Sequence, residues 1–157
     1  MNSSLSVANY FIDKSISEGR NDLTPMKLIK LVYIAHGWHL AINNEVLIDE
    51  NAEAWRYGPV IPSVYNKFKH FKNNNISMKC SDNTAINDVS IPLLDKVWDV
   101  YKNYSGVQLS AKTHEVGTPW YITWYSVKNA EYMSLQIPDN LIRDHYKSKL
   151  EFNKANA

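Results

Sequence analysis

The sequence predicts a mainly α fold: one compact domain of about five to seven helices with a small β-hairpin. Three observations predict it. Apolar residues recur at helical spacing in segment after segment, one segment carries a Thr-Pro helix start, and strand-like residues flanking a turn occur only around residues 46–55. A chain of 157 residues suits one domain, which at this size buries about two thirds of the surface exposed by its unfolded form. The expected domain spans residues 1–157, with a core over about 5–150, a connecting loop at 72–90 and a fraying end at 153–157.

Taken in order, Ser3 or Ser4 caps a first helix in which Leu5, Ala8, Ile12 and Ile16 share one face, and Gly19 supplies a left-handed stop. Thr24 as N-cap and Pro25 at the first helical position open a second helix, read to about Ala41. It is apolar nearly all round, the mark of a central, enclosed helix. Gly37 in its interior costs about 1 kcal/mol relative to Ala, which predicts close approach of another backbone.

Val46–Ile48 and Ala52–Trp55, on either side of Asp49-Glu50-Asn51, predict the hairpin. Residues 57–62 read as rigid turn chemistry. An amphipathic helix follows from Pro62 to about Phe71, with Val64, Tyr65 and Phe68 on its buried side. Lys72 to Ser90 is rich in Asn, Ser and Asp and reads as a long loop. Leu94, Val97, Trp98, Tyr101 and Tyr104 mark a helix from Ser90 that Gly106 is expected to close, with a short helix at Gln108–Glu115 after it. Val116–Trp120 is a turn leading into an aromatic cluster, and Leu141, Ile142, Tyr146 and Leu150 define a last helix from about Pro138.

Seventeen basic and sixteen acidic residues leave a net charge of +1. That removes a whole-domain electrostatic case for binding nucleic acid or an anionic membrane. The apolar run at Leu28–Ala41 is too short and too polar to span a bilayer. Met-Asn-Ser-Ser does not open a secretory signal, and a single cysteine, Cys80, suits a reducing compartment, so the expected location is cytoplasmic.

Chemistry-bearing motifs are sparse. His36 and His39 stand three apart on a helix, as metal ligands sometimes do, but no third ligand follows within two turns. His114 beside Glu115 could form a base with an orienting carboxylate, but no Gly-x-Ser-x-Gly elbow or paired acid and base accompanies it. Five glycines form neither a P-loop nor a dinucleotide fingerprint. The expectation is therefore no catalytic residue, no cofactor and no metal. A metal-dependent hydrolase centred on His36, His39 and His114 is the weakest alternative.

Two charged stretches stand out: a basic one at Lys67, Lys69, His70, Lys72 and Lys79, and an acidic one at Glu45, Asp49, Glu50 and Glu53 on the expected hairpin. Solvated surface is the default reading of both. Fixed negative charge beside Trp55 and Tyr57 would suit a basic protein partner.

Three blocks, LTPMKLIKLVYIAHGWHLA, EAWRYGPVIPSVYNKF and THEVGTPW, resemble the SocA-like antitoxin family, also called the Panacea domain and overlapping phage-associated proteins named GepA. Their order and spacing match over about residues 5–146. The resemblance implies a non-enzymatic antitoxin that neutralises a cognate toxin, usually encoded by an adjacent gene in a bacterial or phage genome. Some members deliver the toxin to a protease, and family toxins have many unrelated folds.

The family's motif falls here on Thr24, Lys27, Lys30, Leu31, Tyr33, His36, Gly37 and Trp38, on Ala54, Trp55, Tyr57, Gly58, Pro59 and Val60, and on Thr113, His114, Pro119 and Trp120. Several have structural readings: Thr24 is a cap and Gly58-Pro59 a turn. Lys27, Lys30, His36, Trp55, His114 and Trp120 from the motif, with Glu50, Glu53 and Tyr57 of the hairpin, are the candidate partner-binding residues. Residues 72–87 and 125–136 align with no motif and, with the hairpin tip, are the specificity candidates. The alternative function on the same scaffold is a phage accessory protein that inhibits a host defence protein. DNA binding is not expected, because the most regular helix is too apolar for a major groove.

Overall fold

Helix α2 (Pro25–Asn43) is the axis of the molecule. In this computed structural model, which describes residues 1–156, its side chains are buried on every face, from Leu28 and Leu31 to Tyr33, Ile34 and Leu40. Thr24 Oγ1 accepts the Lys27 amide at its start, and Asn44 takes a left-handed conformation at its end. Around it pack α1 (Ser4–Ser17), α3 (Pro62–Phe68), α4 (Ile91–Tyr101), α5 (Gly106–Thr113) and α7 (Asp139–Ala155), while α6 (Pro119–Trp124) lies against the sheet and α7. Seven helices and one small sheet match the predicted class. Among the described residues no helix is long and apolar enough to cross a membrane.

The sheet differs from expectation in place and size. Strand β1 (Glu53–Trp55) pairs antiparallel with β2 (Gly58–Val60), so the turn is Arg56-Tyr57 and not Asp49–Asn51. A third strand, β3 (Leu135–Gln136), pairs with the other edge of β1 in the order β2-β1-β3. The positive φ of 117° falls on Gly58, immediately after the turn, where a residue without Cβ is suited. Ile48 instead forms an isolated parallel bridge with Asn2.

Gly106 also has a different role: it opens α5 and does not close α4. Ser105 and Gln108 form a capping box, Ser105 Oγ accepting the Gln108 amide at 3.1 Å and Gln108 Oε1 accepting the Ser105 amide at 2.8 Å. Gly37 faces a side chain, not a backbone: a Cβ there would overlap the Tyr146 ring of α7.

The long polar segment 72–87 has no helix or strand of its own but is pinned. Ile76 is fully buried, with its amide donating to Leu23 O at 2.8 Å. Asn9 donates to Cys80 O and Asp82 O and accepts the Cys80 amide.

Candidate functional site

Three side chains from three helices fasten the hairpin through its own carbonyls. Lys30 Nζ of α2 donates to Pro59 O at 2.8 Å, Ser110 Oγ of α5 to Tyr57 O at 2.7 Å, and Trp120 Nε1 of α6 to Trp55 O at 2.6 Å. Each satisfies a carbonyl near the turn, where the narrow sheet offers few partners. Below the turn, the edge of His114 meets Trp120 with ring centroids 5.2 Å apart, and His114 Nδ1 donates to Ser110 O. Gly58 closes the set, since a Cβ there would stand 3.0 Å from Lys30 Nζ.

Lys30 is buried and its ammonium touches no carboxylate among the described residues. Loss of solvent alone pushes its pKa down to about 7. A buried amine without a carboxylate partner anchors the turn through one carbonyl.

The fastened hairpin presents its tip to solvent. Tyr57 is 69% exposed, and the Arg56 guanidinium lies over its ring at 5.9 Å. Beside the tip is a groove of about 480 Å³ with Met26, Ile29, Trp55, Val60 and Tyr65 on its walls and Arg56, Lys69 and Lys72 at its rim. Trp55 and Tyr65 meet edge to face with centroids 4.8 Å apart, and Lys69 Nζ sits over Tyr65 at 5.7 Å. Aromatic side chains with arginine on a rigid support are the composition of energetically dominant interface patches.

The structure divides the candidate residues sharply. Lys27, Lys30, His36 and Trp120, expected as partner contacts, are buried, so their side chains do not lie on the surface. Lys27 Nζ pairs with Asp22 at 3.1 Å and donates to Lys102 O, tying α2 to the end of α4. Burial pulls the Lys27 pKa down against the pull of Asp22. Burial also raises that of Asp22, but hydrogen bonds from Arg20 and Lys27 outweigh it and hold the carboxyl below its ordinary value.

His36 Nε2 donates to Asp139 Oδ1 at 3.0 Å while its Nδ1 accepts the Leu47 amide, which joins α2 to the first residue of α7. His39 Nδ1 donates to Glu45 O and its Nε2 accepts from Ser90 Oγ. Both nitrogens of each ring are thereby engaged. Among the described residues no three His, Cys, Asp or Glu side chains cluster in a way that could hold a metal ion.

Three of the four acidic side chains of this stretch are engaged within the fold, while Glu45 is exposed. Asp49 Oδ1 accepts the Ser4 amide at the start of α1, and Glu50 Oε1 accepts both the amide and hydroxyl of Ser63 at the start of α3. Both carboxylates complement the positive ends of helices. Glu53 accepts the Trp55 indole N–H at 2.9 Å. The turn that faces solvent is therefore basic and aromatic.

Trp55 and His114 are half-buried and Tyr57 is exposed. Sequence reasoning read Lys69 only as part of a basic stretch and Tyr65 only as a buried helix position, and it did not single out Arg56 or Ser110. The i, i+4 spacing of Tyr65 and Lys69 after Pro62 put them on one helical face, but only the shifted turn brings Arg56 beside them.

Residues 28–121 match the family profile described as antitoxin SocA-like, Panacea domain. Over 153 residues the chain is 29% identical to Antitoxin SocA of Caulobacter vibrioides (strain NA1000 / CB15N), an alignment covering 90% of this chain and 80% of that protein. No solved structure matches. The span 28–121 contains the hairpin and all three donors that fasten it.

Proposed function

The chain belongs to the SocA-like antitoxin family, the Panacea domain, and from that premise we propose that it binds a cognate toxin protein and neutralises it by covering the toxin's working surface. The observation that carries the reading is the exposure of Arg56 and Tyr57 on a turn whose carbonyls three buried side chains hold. The matched span supplies Lys30, Ser110 and Trp120, and these spend their hydrogen bonds on holding an otherwise exposed aromatic turn in one conformation. Such preorganisation lowers the ordering cost of association and favours a binding role. The chain acts by occupation and not by chemistry, and its partner is the product of an adjacent gene.

Growth rescue tests this reading. The neighbouring gene is induced in a heterologous bacterium with and without this chain, and colony formation and co-purification are followed. Rescue with a stable complex is expected, and Tyr57→Ala, which removes an exposed side chain, weakens the complex by about 30-fold or more, the scale of an interface hot spot. A harmless neighbour, or toxicity that this chain fails to relieve, overturns the proposal.

A further inference from the structure

A second surface lies at the C-terminal part of α2. Helices α4 and α7 both pack on α2 but make almost no contact with each other, so a trough runs between them with Trp38 at its floor. Two adjoining cavities, of about 540 and 580 Å³, share Trp38, Val100, Tyr101 and Asn153 and together form its length. Trp38 Nε1 donates to Tyr101 Oη at 3.1 Å, which satisfies the polar atoms of the floor and leaves it apolar to an incoming group. Ile42 (55% exposed), Val100 (49%) and Phe152 (67%) stand open on its walls.

The charge on the trough has one sign. Lys96, Lys112 and Lys149 line it, no Asp or Glu does, and none of the three lysines forms an ion pair among the described residues. Lys112 and Lys149 rest over the rings of Tyr104 and Tyr146 at 4.9 and 5.7 Å. Burial and the neighbouring Lys112 lower the Lys149 pKa, while Glu115 acts on it from outside the trough. For a chain of net charge +1, this concentration is local.

We propose that the trough between α4 and α7 receives an amphipathic helix with acidic flanks, carried by a protein partner. Two helices resting side by side on a third leave a gap that a further helix, about 10 Å across, fills by the same ridge-and-groove packing. Leucine-type side chains on its inner face meet Ile42, Val100 and Trp38, and glutamates on its flanks meet Lys96, Lys112 and Lys149. The open walls favour a helix over a single acyl chain, which gains most in an enclosed tunnel. The inference rests only on the reading of the chain as a protein-binding module.

The test uses two fluorescein-labelled synthetic 15-residue helices with the same leucine face, one flanked by Glu and one by Lys, and fluorescence anisotropy with the full chain. The Glu-flanked peptide is expected to bind about tenfold more tightly than the Lys-flanked one, the sum of several rim ion pairs. Val100→Arg, at a half-exposed position, weakens binding of the Glu-flanked peptide at least as much. The triple variant K96E/K112E/K149E reverses the preference, a gain that misfolding cannot produce. Equal binding of the two peptides, an unreversed preference in the triple variant, or tighter binding to vesicles of phosphatidylglycerol and phosphatidylcholine than to either peptide overturns the proposal. Neither peptide contains a toxin, so failure here and failure of growth rescue are separate results.

Discussion

Gly37→Ala isolates the packing on which the central helix depends. In an exposed helix this change gains about 1 kcal/mol, because Gly loses more backbone entropy on folding. Here the added methyl would overlap three carbons of the Tyr146 ring, whereas non-bonded carbons settle at about 3.5–4.0 Å. The ring would have to move by more than 1 Å, but it is buried and packed edge to face on Trp38 at 5.0 Å. Overpacking of that kind costs about 1–3 kcal/mol and in severe cases more. With an overlap this severe at the upper end of that range, subtracting the helix gain leaves a loss of about 2 kcal/mol, or roughly 4–8 °C in Tm for a domain of this size. Urea titration followed by circular dichroism reads the change. In a Tyr146→Val background the overlap is gone, and Gly37→Ala should become neutral or stabilising. A single variant as stable as the parent, or equal effects in both backgrounds, refutes the argument.

Lys30 makes stability depend on pH with a definite sign. Its folded pKa of about 7 lies below its unfolded value of about 10.4, so between these limits the unfolded state binds the extra proton and stability rises with pH, by up to about 1.4 kcal/mol per unit. Lys30→Met removes that slope: its stability relative to the parent is greatest near pH 6 and falls as pH rises above about 7, and parallel denaturation curves from pH 6 to 10 would count against this. Trp120→Phe leaves Trp55 O without its indole donor and should lose about 1–3 kcal/mol in urea titration, with weaker partner capture as the hairpin loosens; unchanged stability would show the bond to be dispensable. Glu50→Ala removes the acceptor at the start of α3 and should cost about 1 kcal/mol without changing partner capture. A loss of capture at unchanged stability would return Glu50 to the interface.

Much of the fold was legible because its signals are local. Thr24-Pro25 and Pro62 mark helix starts through backbone geometry that no distant residue needs to confirm. The all-apolar composition of α2 announced that it would be enclosed. The hairpin was misplaced because Asp49-Glu50-Asn51 has turn composition, yet its carboxylates are drawn to the starts of α1 and α3. Strand β3 has two residues, too few for any period, and forms by pairing with β1.

Of the candidate site residues named from the three sequence blocks, Trp55 is half-buried and Tyr57 exposed. Lys27, Lys30 and His36 read as candidate contacts because lysine and histidine are usually exposed or functional. Each is instead enclosed with a partner far along the chain: Lys102 O, Pro59 O and Asp139.

The helical class, the central helix and the family blocks are legible from neighbouring residues alone, since spacing, caps and motif order are local properties. Tertiary structure alone decided which motif residues face inward, where the turn falls and that lysines from α4, α5 and α7 line one trough. Those outcomes depend on contacts between residues tens of positions apart, where burial and hydrogen-bond satisfaction outweigh local preference.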